Sequence, residues 1–439
     1  MLSFWGNGPE YETRLQRLFR PPSATLKEVH DAVPKELLER NQLKSLSYLL
    51  RDIVLAAFLY SCASRITPWS DLLLGNQEIL KICLKTCLWC TYWVLQSLVG
   101  AGIFCIGHDA GHGSLFASKT LNNLVGFLCH SYLILPYFSW RSTHHAHHVR
   151  TSLLSSSAPL IYLQKATGSM ERDENYVPYS RSKFNLPHES KATACDYAEV
   201  FEETPLYTLF RMFIMQAFGW WIYLSRNTMS CPSYPPGTSH FDPYSPLFKP
   251  EQRTSIILSN VGLGSMIFIL YCAGREFALW YYLPPFLLVN HWIGKSAPPL
   301  RRHKTHSSSV MFTYLHHSDP TIPHYRKGEW TFLRGAAATV DRPLLGWFGR
   351  FFFHNISHDH VAHHFFLRAP FYNGPQITSR IKAVLGEDYN YDSTPSFYAL
   401  YRSFTQCLFV EEDGDIVFYK NRKGEAARVV DPEFLKKIS

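Results

Sequence analysis

At 439 residues the chain could hold two or three soluble domains, but its composition suggests another use of that length. Hydrophobic residues make up an ordinary 46%, whereas the 15% aromatic content is high and the 18% charged content is low, as in a chain whose apolar segments alternate with polar ones. The net charge of +8 carries no basic block; it fits an anionic membrane surface or an ordinary solvated one and argues against nucleic acid as a partner.

The first forty residues are polar and show no secretory signal; residues 1–46 read as a cytosolic N-terminal segment. A spanning helix needs about 20 predominantly apolar residues. Residues 47–64 approach this, with Arg51 and Asp52 near the start, and 87–106 meet it without a charge. Residues 121–138 suit a re-entrant or interfacial helix. Residues 207–225 form an apolar run interrupted by Arg211, and 255–273 form an uncharged one. Residues 277–293 form another, with a Pro-Pro kink expected. One such run reads equally well as a buried soluble helix; five in one chain predict membrane insertion. The stretches 165–205 and 318–350 are polar and irregular.

Ten cysteines lack a framework spacing. Cys83, Cys87 and Cys90 fall at helical spacing, and no second pair accompanies the CxxC among them. A helix face explains them better than zinc or redox chemistry, and the thiols are expected to be reduced.

Most of the chemistry resides in the histidines, of which there are 21. His108 and His112 form HxxxH; His144, His147 and His148 form HxxHH; His360, His363 and His364 form HxxHH again. On a helix, residues three and four apart share a face, so each box can aim its imidazoles at one point while His145 turns away. Each box begins at or just beyond an apolar run, near the membrane–water boundary. Imidazole suits iron, copper, zinc and nickel. Zinc takes about four ligands, so these eight imidazoles are too many for one ion, and two ions sharing eight or nine nitrogens fit. No glutamate lies within a box, which excludes HExxH proteolysis and the ExxH pattern of soluble di-iron bundles.

Around these boxes stand "GHDAGHGSLFASKTLNNLVGFLCHSYLILPYFSWRSTHHAHH", "KATGSMERDENYVP", "TYLHHSDPTIPHYR", "EWTFLRGAAATVDR" and "HDHVAHHFFLRAPFYNG". Over nearly its whole length the chain resembles the membrane fatty-acid desaturases, in particular the oleate (delta-12) branch. The resemblance implies an all-α integral membrane fold, with about four transmembrane helices and a cytosolic cap carrying the three boxes. It implies an O2-dependent desaturase acting on a fatty-acyl or other lipid-like chain, with two iron ions held by the eight box histidines and no catalytic residue apart from the ligands. It adds a ninth ligand between boxes two and three. The matching position is His317, whereas His316 stands where the family usually has Gln.

No haem-binding HPGG motif of a fused cytochrome b5 is present, so the resemblance implies electrons from a separate cytochrome b5 or similar donor and its reductase. The desaturase domain is expected over 47–410, followed by a cytosolic tail, 411–439. The ending "LKKIS", with Lys436 and Lys437, is similar to the di-lysine retrieval signal of endoplasmic reticulum membrane proteins. Asn355-Ile356-Ser357 is a glycosylation pattern that a cytosolic third box would leave unmodified. Ala110 and Gly113-Ser114 depart from the usual first box, which keeps an acetylenase or hydroxylase open, on an acyl, prenyl or polyketide chain of secondary metabolism. A membrane metal transporter is the distant alternative; it would place histidines inside spans.

Two stretches depart from the family pattern, residues 149–164 and 294–309, each sixteen long and so each a whole number of codons. Val149 is encoded by GTN and Gln164 can be CAG; Gly294-Lys295 can carry GTAAG and Ser309-Val310 a terminal AG. Both read as retained introns. Without them the chain has 407 residues, and 277–293 runs on through apolar residues to His317. Both are expected to project as poorly packed loops, and the longer form to be weakly active or inactive.

Overall fold

The computed structural model describes residues 5–148, 150–151, 163–164, 167–293 and 313–438. Its first long helix, α1 (Gln42–Ala63), starts where the Asn41 side chain accepts from the backbone N–H of Lys44, a capping residue satisfying one of the free donors of the first turn. Leu43, Leu46, Leu50, Ile53, Val54 and Phe58 face outward, while Ser45 and Asp52 are buried. That is the reverse of a soluble amphipathic helix and the arrangement expected where lipid is the solvent. After a brief break α2 (Ile66–Leu74) continues.

The central helix, α3 (Glu78–His112), is 35 residues long, about 52 Å at 1.5 Å per residue. A hydrocarbon core is only about 30 Å thick. The helix therefore runs well past the apolar run predicted for it, and it is buried without interruption from Gln96 to His112. It ends at Gly113, whose φ of 70° is left-handed, a conformation glycine adopts without penalty. His108 and His112 thus occupy its last turns.

The expected helix over 121–138 is broken. α4 (Lys119–Tyr132) stops, Ile134 takes a φ of 50°, and α5 (Tyr137–His148) starts immediately after Pro136. Proline disfavours helical backbone at the residue before it, and the amide of Leu135 bonds back to the carbonyl of His130 at 2.8 Å. The break turns the chain so that the second box lies against the end of α3. Residues 207–225 lie in α6 (Pro205–Arg226). Its Arg211 is turned inward and paired with Glu203, as a charge in an apolar helix must be.

α7 (Arg253–Ala273) follows. The kink predicted in 277–293 comes earlier than the prolines: the backbone opens into a π-helical turn over Phe277–Tyr282 before α8 (Leu283–Ile293). Pro284 and Pro285 cannot donate to the carbonyls four residues back. Those carbonyls belong to Trp280 and Tyr281, and α3 satisfies both: Trp93 Nε1 donates to Trp280 O and the Tyr92 hydroxyl to Tyr281 O, each at 2.9 Å. Among the described residues, three helical stretches are long and apolar enough to cross a membrane, 42–74, 78–112 and 250–273.

The remainder is a layer of short helices, among them α9 (Thr313–His317), α10 (Gly346–Phe352) and α11 (His360–Phe365). A buried ionic network binds it together. Arg342 pairs with Asp319 (2.7 Å) and Asp392, and Arg402 pairs with Asp392 (2.6 Å) and Asp319 (3.3 Å). Arg14 donates to Thr321 Oγ1 at 2.9 Å, while Arg342 Nε donates to Leu315 O at 2.8 Å, inside α9. The N-terminal segment and the tail meet at an isolated bridge between Phe19 and Val430.

Of the two suspected inserts, 294–309 lies outside the described residues, as does most of 149–164. Within the latter, Arg150–Thr151 pairs antiparallel with Leu163–Gln164, Arg150 opposite Gln164.

Candidate metal centre

Four elements bring the histidines together. α3 supplies His108 and His112, α5 supplies His144, His147 and His148, α9 supplies His317, and α11 supplies His360, His363 and His364. Ligand atoms of His108, His112, His144, His148 and His363 lie within 4.8 Å of one another; so do those of His317, His360 and His364, and those of His147, His148 and His364. All nine positions singled out in the sequence are in these groups, and His148 and His364 each belong to two.

The spacing has a chemical meaning. His108 Nε2 lies 2.9 Å from His144 Nε2, which lies 3.2 Å from His148 Nε2. His360 Nε2 lies 3.3 Å from His317 Nε2 and 3.2 Å from His364 Nε2. Two imidazole nitrogens bound to one ion at about 2.1 Å and at right to tetrahedral angles would be roughly 3.0–3.4 Å apart. His112 Nε2 and His363 Nε2 are buried without a hydrogen-bond partner among the described residues, which is costly unless a ligand takes the lone pair. Burial pushes His363 down to about 3 and holds His148, His360 and His364 far below the ordinary imidazole value. These rings are neutral at physiological pH, the state in which imidazole binds metal.

The two histidines set aside in the sequence are placed apart. His145 Nε2 donates to Gly111 O at 2.6 Å. His316 Nδ1 donates to Val340 O at 2.5 Å, and its ring packs on His360.

A family model described as fatty acid desaturase matches residues 87–395. A Delta(12) fatty acid desaturase of Mortierella alpina is 38% identical over 417 residues, 92% of each chain. The chain belongs to the fatty acid desaturase family. An oleate hydroxylase of Claviceps purpurea is 35% identical, over 92% of this chain and 82% of its own. An oleoyl-12-hydroxylase of Ricinus communis is 33% identical, over 91% and 92%. The chain is therefore an oxidoreductase of the oleate delta-12 desaturase-like branch, with apolar helices of membrane-spanning length and histidine clusters able to hold metal.

This desaturase also surrounds the cluster with groups that the spacing of the boxes does not reveal. Asp109 Oδ1 takes His108 Nδ1 at 2.9 Å, and Asp173 Oδ1 takes His147 Nδ1 at 2.5 Å. Asn175 Nδ2 lies 2.9 Å from His144 Nδ1, and the Tyr223 hydroxyl donates to Asn175 Oδ1 at 3.1 Å. Asp173 and Asn175 lie in "KATGSMERDENYVP". The one sequence signal for them is a pair of short polar residues 25 and 27 positions beyond His148, and it names no contact. A small enclosed cavity borders both groups, closed on its apolar side by Phe104, Trp140, Tyr176 and Ile356. Trp140 stacks on His144, with centroids 4.6 Å apart.

Proposed function

We propose that this desaturase removes hydrogens from a fatty-acyl chain of a membrane lipid, using two iron ions held by His108, His112, His144, His147, His148, His317, His360, His363 and His364. The convergence of nine imidazoles into adjoining groups carries the reading. Bound iron supplies the activation of O2, which no protein side chain can provide. The division that fits the contacts is His108, His112, His144, His148 and His363 around one ion and His147, His317, His360 and His364 around the other. One turnover takes two hydrogens from adjacent methylenes and, with two electrons and two protons from the donor side, reduces one O2 to two waters. The protein's part is to hold the lone pairs in place, to keep His148, His360, His363 and His364 unprotonated by burial, and to seat an alkyl chain against Phe104, Trp140 and Ile356. Electrons come from a separate cytochrome b5 or similar donor with its reductase. The chain lies in the endoplasmic reticulum membrane with its boxes toward the cytosol; 277–293 supplies the fourth span.

Expression in a host with a cytochrome b5 system, followed by lipid profiling, tests this. A new double bond that appears only with O2, in a protein holding two irons per chain, is the expected result; an unchanged lipid profile would remove the assignment. A second reading, hydroxylation, is favoured by the oleate hydroxylases among the relatives, and the same profile separates it by a hydroxylated chain in place of the double bond.

A further inference from the structure

We infer that Asp173 and Asn175 are positioning residues that assign the ligating lone pairs of His147 and His144, one for each ion. The inference rests on the reading of the cluster as a two-metal site. A neutral imidazole carries one proton, so the ring nitrogen that donates a hydrogen bond leaves the other free for metal, and an outer partner thereby selects the ligating atom.

Asp173 is 1% exposed. Its Oδ1 accepts from His147 Nδ1 (2.5 Å) and from the backbone N–H of Asn175 (2.9 Å) and Tyr176 (3.0 Å), and its Oδ2 accepts from Gly168 N–H (3.0 Å). Three backbone donors fix the rotation of the carboxylate and use both of its oxygens as acceptors. Held so, it can only accept from His147, which places the proton of that ring on Nδ1 and its lone pair on Nε2. The backbone of box two is bound to the same segment: Thr167 Oγ1 donates to His147 O at 3.0 Å.

Asn175 reaches His144 Nδ1 with one end of its amide and the Tyr223 hydroxyl with the other. The two ends have the same shape, so either can face the ring. When His144 Nε2 gives its lone pair to a metal, its Nδ1 carries the proton. Asn175 must then offer its oxygen to His144 and its NH2 to the Tyr223 oxygen, and the phenol can accept as readily as donate. An acceptor at position 175 is therefore what the site requires, and an aspartate would serve where a leucine could not.

The two residues serve histidines assigned to different ions, so the consequences separate. Asp173→Asn presents an NH2 group either to His147 or to the Gly168 N–H. It should weaken one iron by about 10–100-fold in resistance to a chelator, the usual range for an outer-shell partner, while the other iron is retained as in the unsubstituted protein. Asn175→Leu should weaken the other iron by a similar factor, Asn175→Asp should restore it, and the double variant Asp173→Asn/Asn175→Leu should lose both. Full-length protein in detergent would be titrated with EDTA and its iron counted by mass spectrometry. Melting of the chelator-stripped forms would be measured in parallel; stripped Asp173→Asn and Asn175→Leu should still unfold in a single cooperative transition, so that lost iron is not lost fold. If Asp173→Asn and Asn175→Leu both keep two irons with unaltered chelator resistance, or if Asn175→Asp and Asn175→Leu lose iron equally, the inference is overturned. An unsubstituted protein that binds no iron overturns the two-metal reading itself, and the inference with it.

Discussion

His317 and His316 are neighbours in sequence with different surroundings. The first lies 3.3 Å from His360 Nε2; the second has its Nδ1 occupied by a backbone carbonyl. His317→Ala should therefore lose product and iron. His316→Gln should keep both, with a melting point lowered by the altered contact with Val340; one buried hydrogen bond contributes about 1 kcal/mol. Iron content and lipid product measured for the two variants would separate these outcomes, and equal behaviour would remove His317 from the site. The same logic extends to the boxes. Alanine at any of His108, His112, His144, His147, His148, His360, His363 or His364 should abolish product and lower bound iron. His145→Ala should be milder, because that ring is engaged with Gly111 O. A fully active His363→Ala enzyme would refute the assignment of iron to this cluster.

Among the elements, α3 is the post against which the others are set. Near its middle, Trp93 and Tyr92 satisfy the carbonyls that Pro284 and Pro285 leave open, and so fix the entrance to α8. Trp93→Phe keeps most of the ring packing and removes only the donor. It should destabilise the protein by about 1 kcal/mol, the contribution of one hydrogen bond; an unchanged melting curve in detergent would show that the π-turn needs no such support. Farther along, Gly102 allows a close approach: a Cβ there would lie 2.5 Å from Phe352 O and 3.0 Å from Asp52 Oδ2. Asp52 itself holds Arg51 (2.7 Å) and His354 (2.6 Å), joining α1 to the segment that leads into box three. Asp52→Leu leaves the Arg51 charge, and the buried His354, without this partner. Arg51 is partly buried, and leaving it without this hydrogen-bond partner costs about 1–3 kcal/mol. Loss of folded protein, in yield and in melting temperature, is the expected result, and near-normal stability would count against a structural role for the pair.

At the scale of the whole molecule, the buried arginine–aspartate network joins the N-terminal segment, α9 and the C-terminal half. Arg342→Leu should therefore cost stability across the whole layer that carries His317, and loss of iron should accompany unfolding and not precede it. The inserted stretches belong to this scale too. Because Arg150 and Gln164 are paired, deleting 149–164 should leave iron content unchanged. Messenger RNA is expected to lack the codons for 149–164 and 294–309, and the 407-residue form to be the more active one. A transcript retaining both, translated into a protein as active as the shorter form, would reverse that expectation.

The helices around 47–64, 87–106 and 255–273 were legible because a run of apolar residues and the rise per residue are local properties. So were the three boxes: the helical repeat alone brings residues three and four apart onto one face. That same locality explains what stayed hidden. The break between α4 and α5 depends on Pro136 and on a carbonyl six residues before it, and apolarity across 121–138 masks both. Asp173 and Asn175 meet His147 and His144 across 26 and 31 residues of chain. Asp52 and His354 meet across 302. No periodicity encodes such contacts; the topology that stacks α1, α3 and α5 creates them. The sequence by itself determined that this chain carries membrane-length helices and three groups of imidazoles. Only the tertiary structure decided which nitrogens converge and which carboxylate and amide hold them, because a hydrogen bond is chosen by position in space and not by distance along the chain.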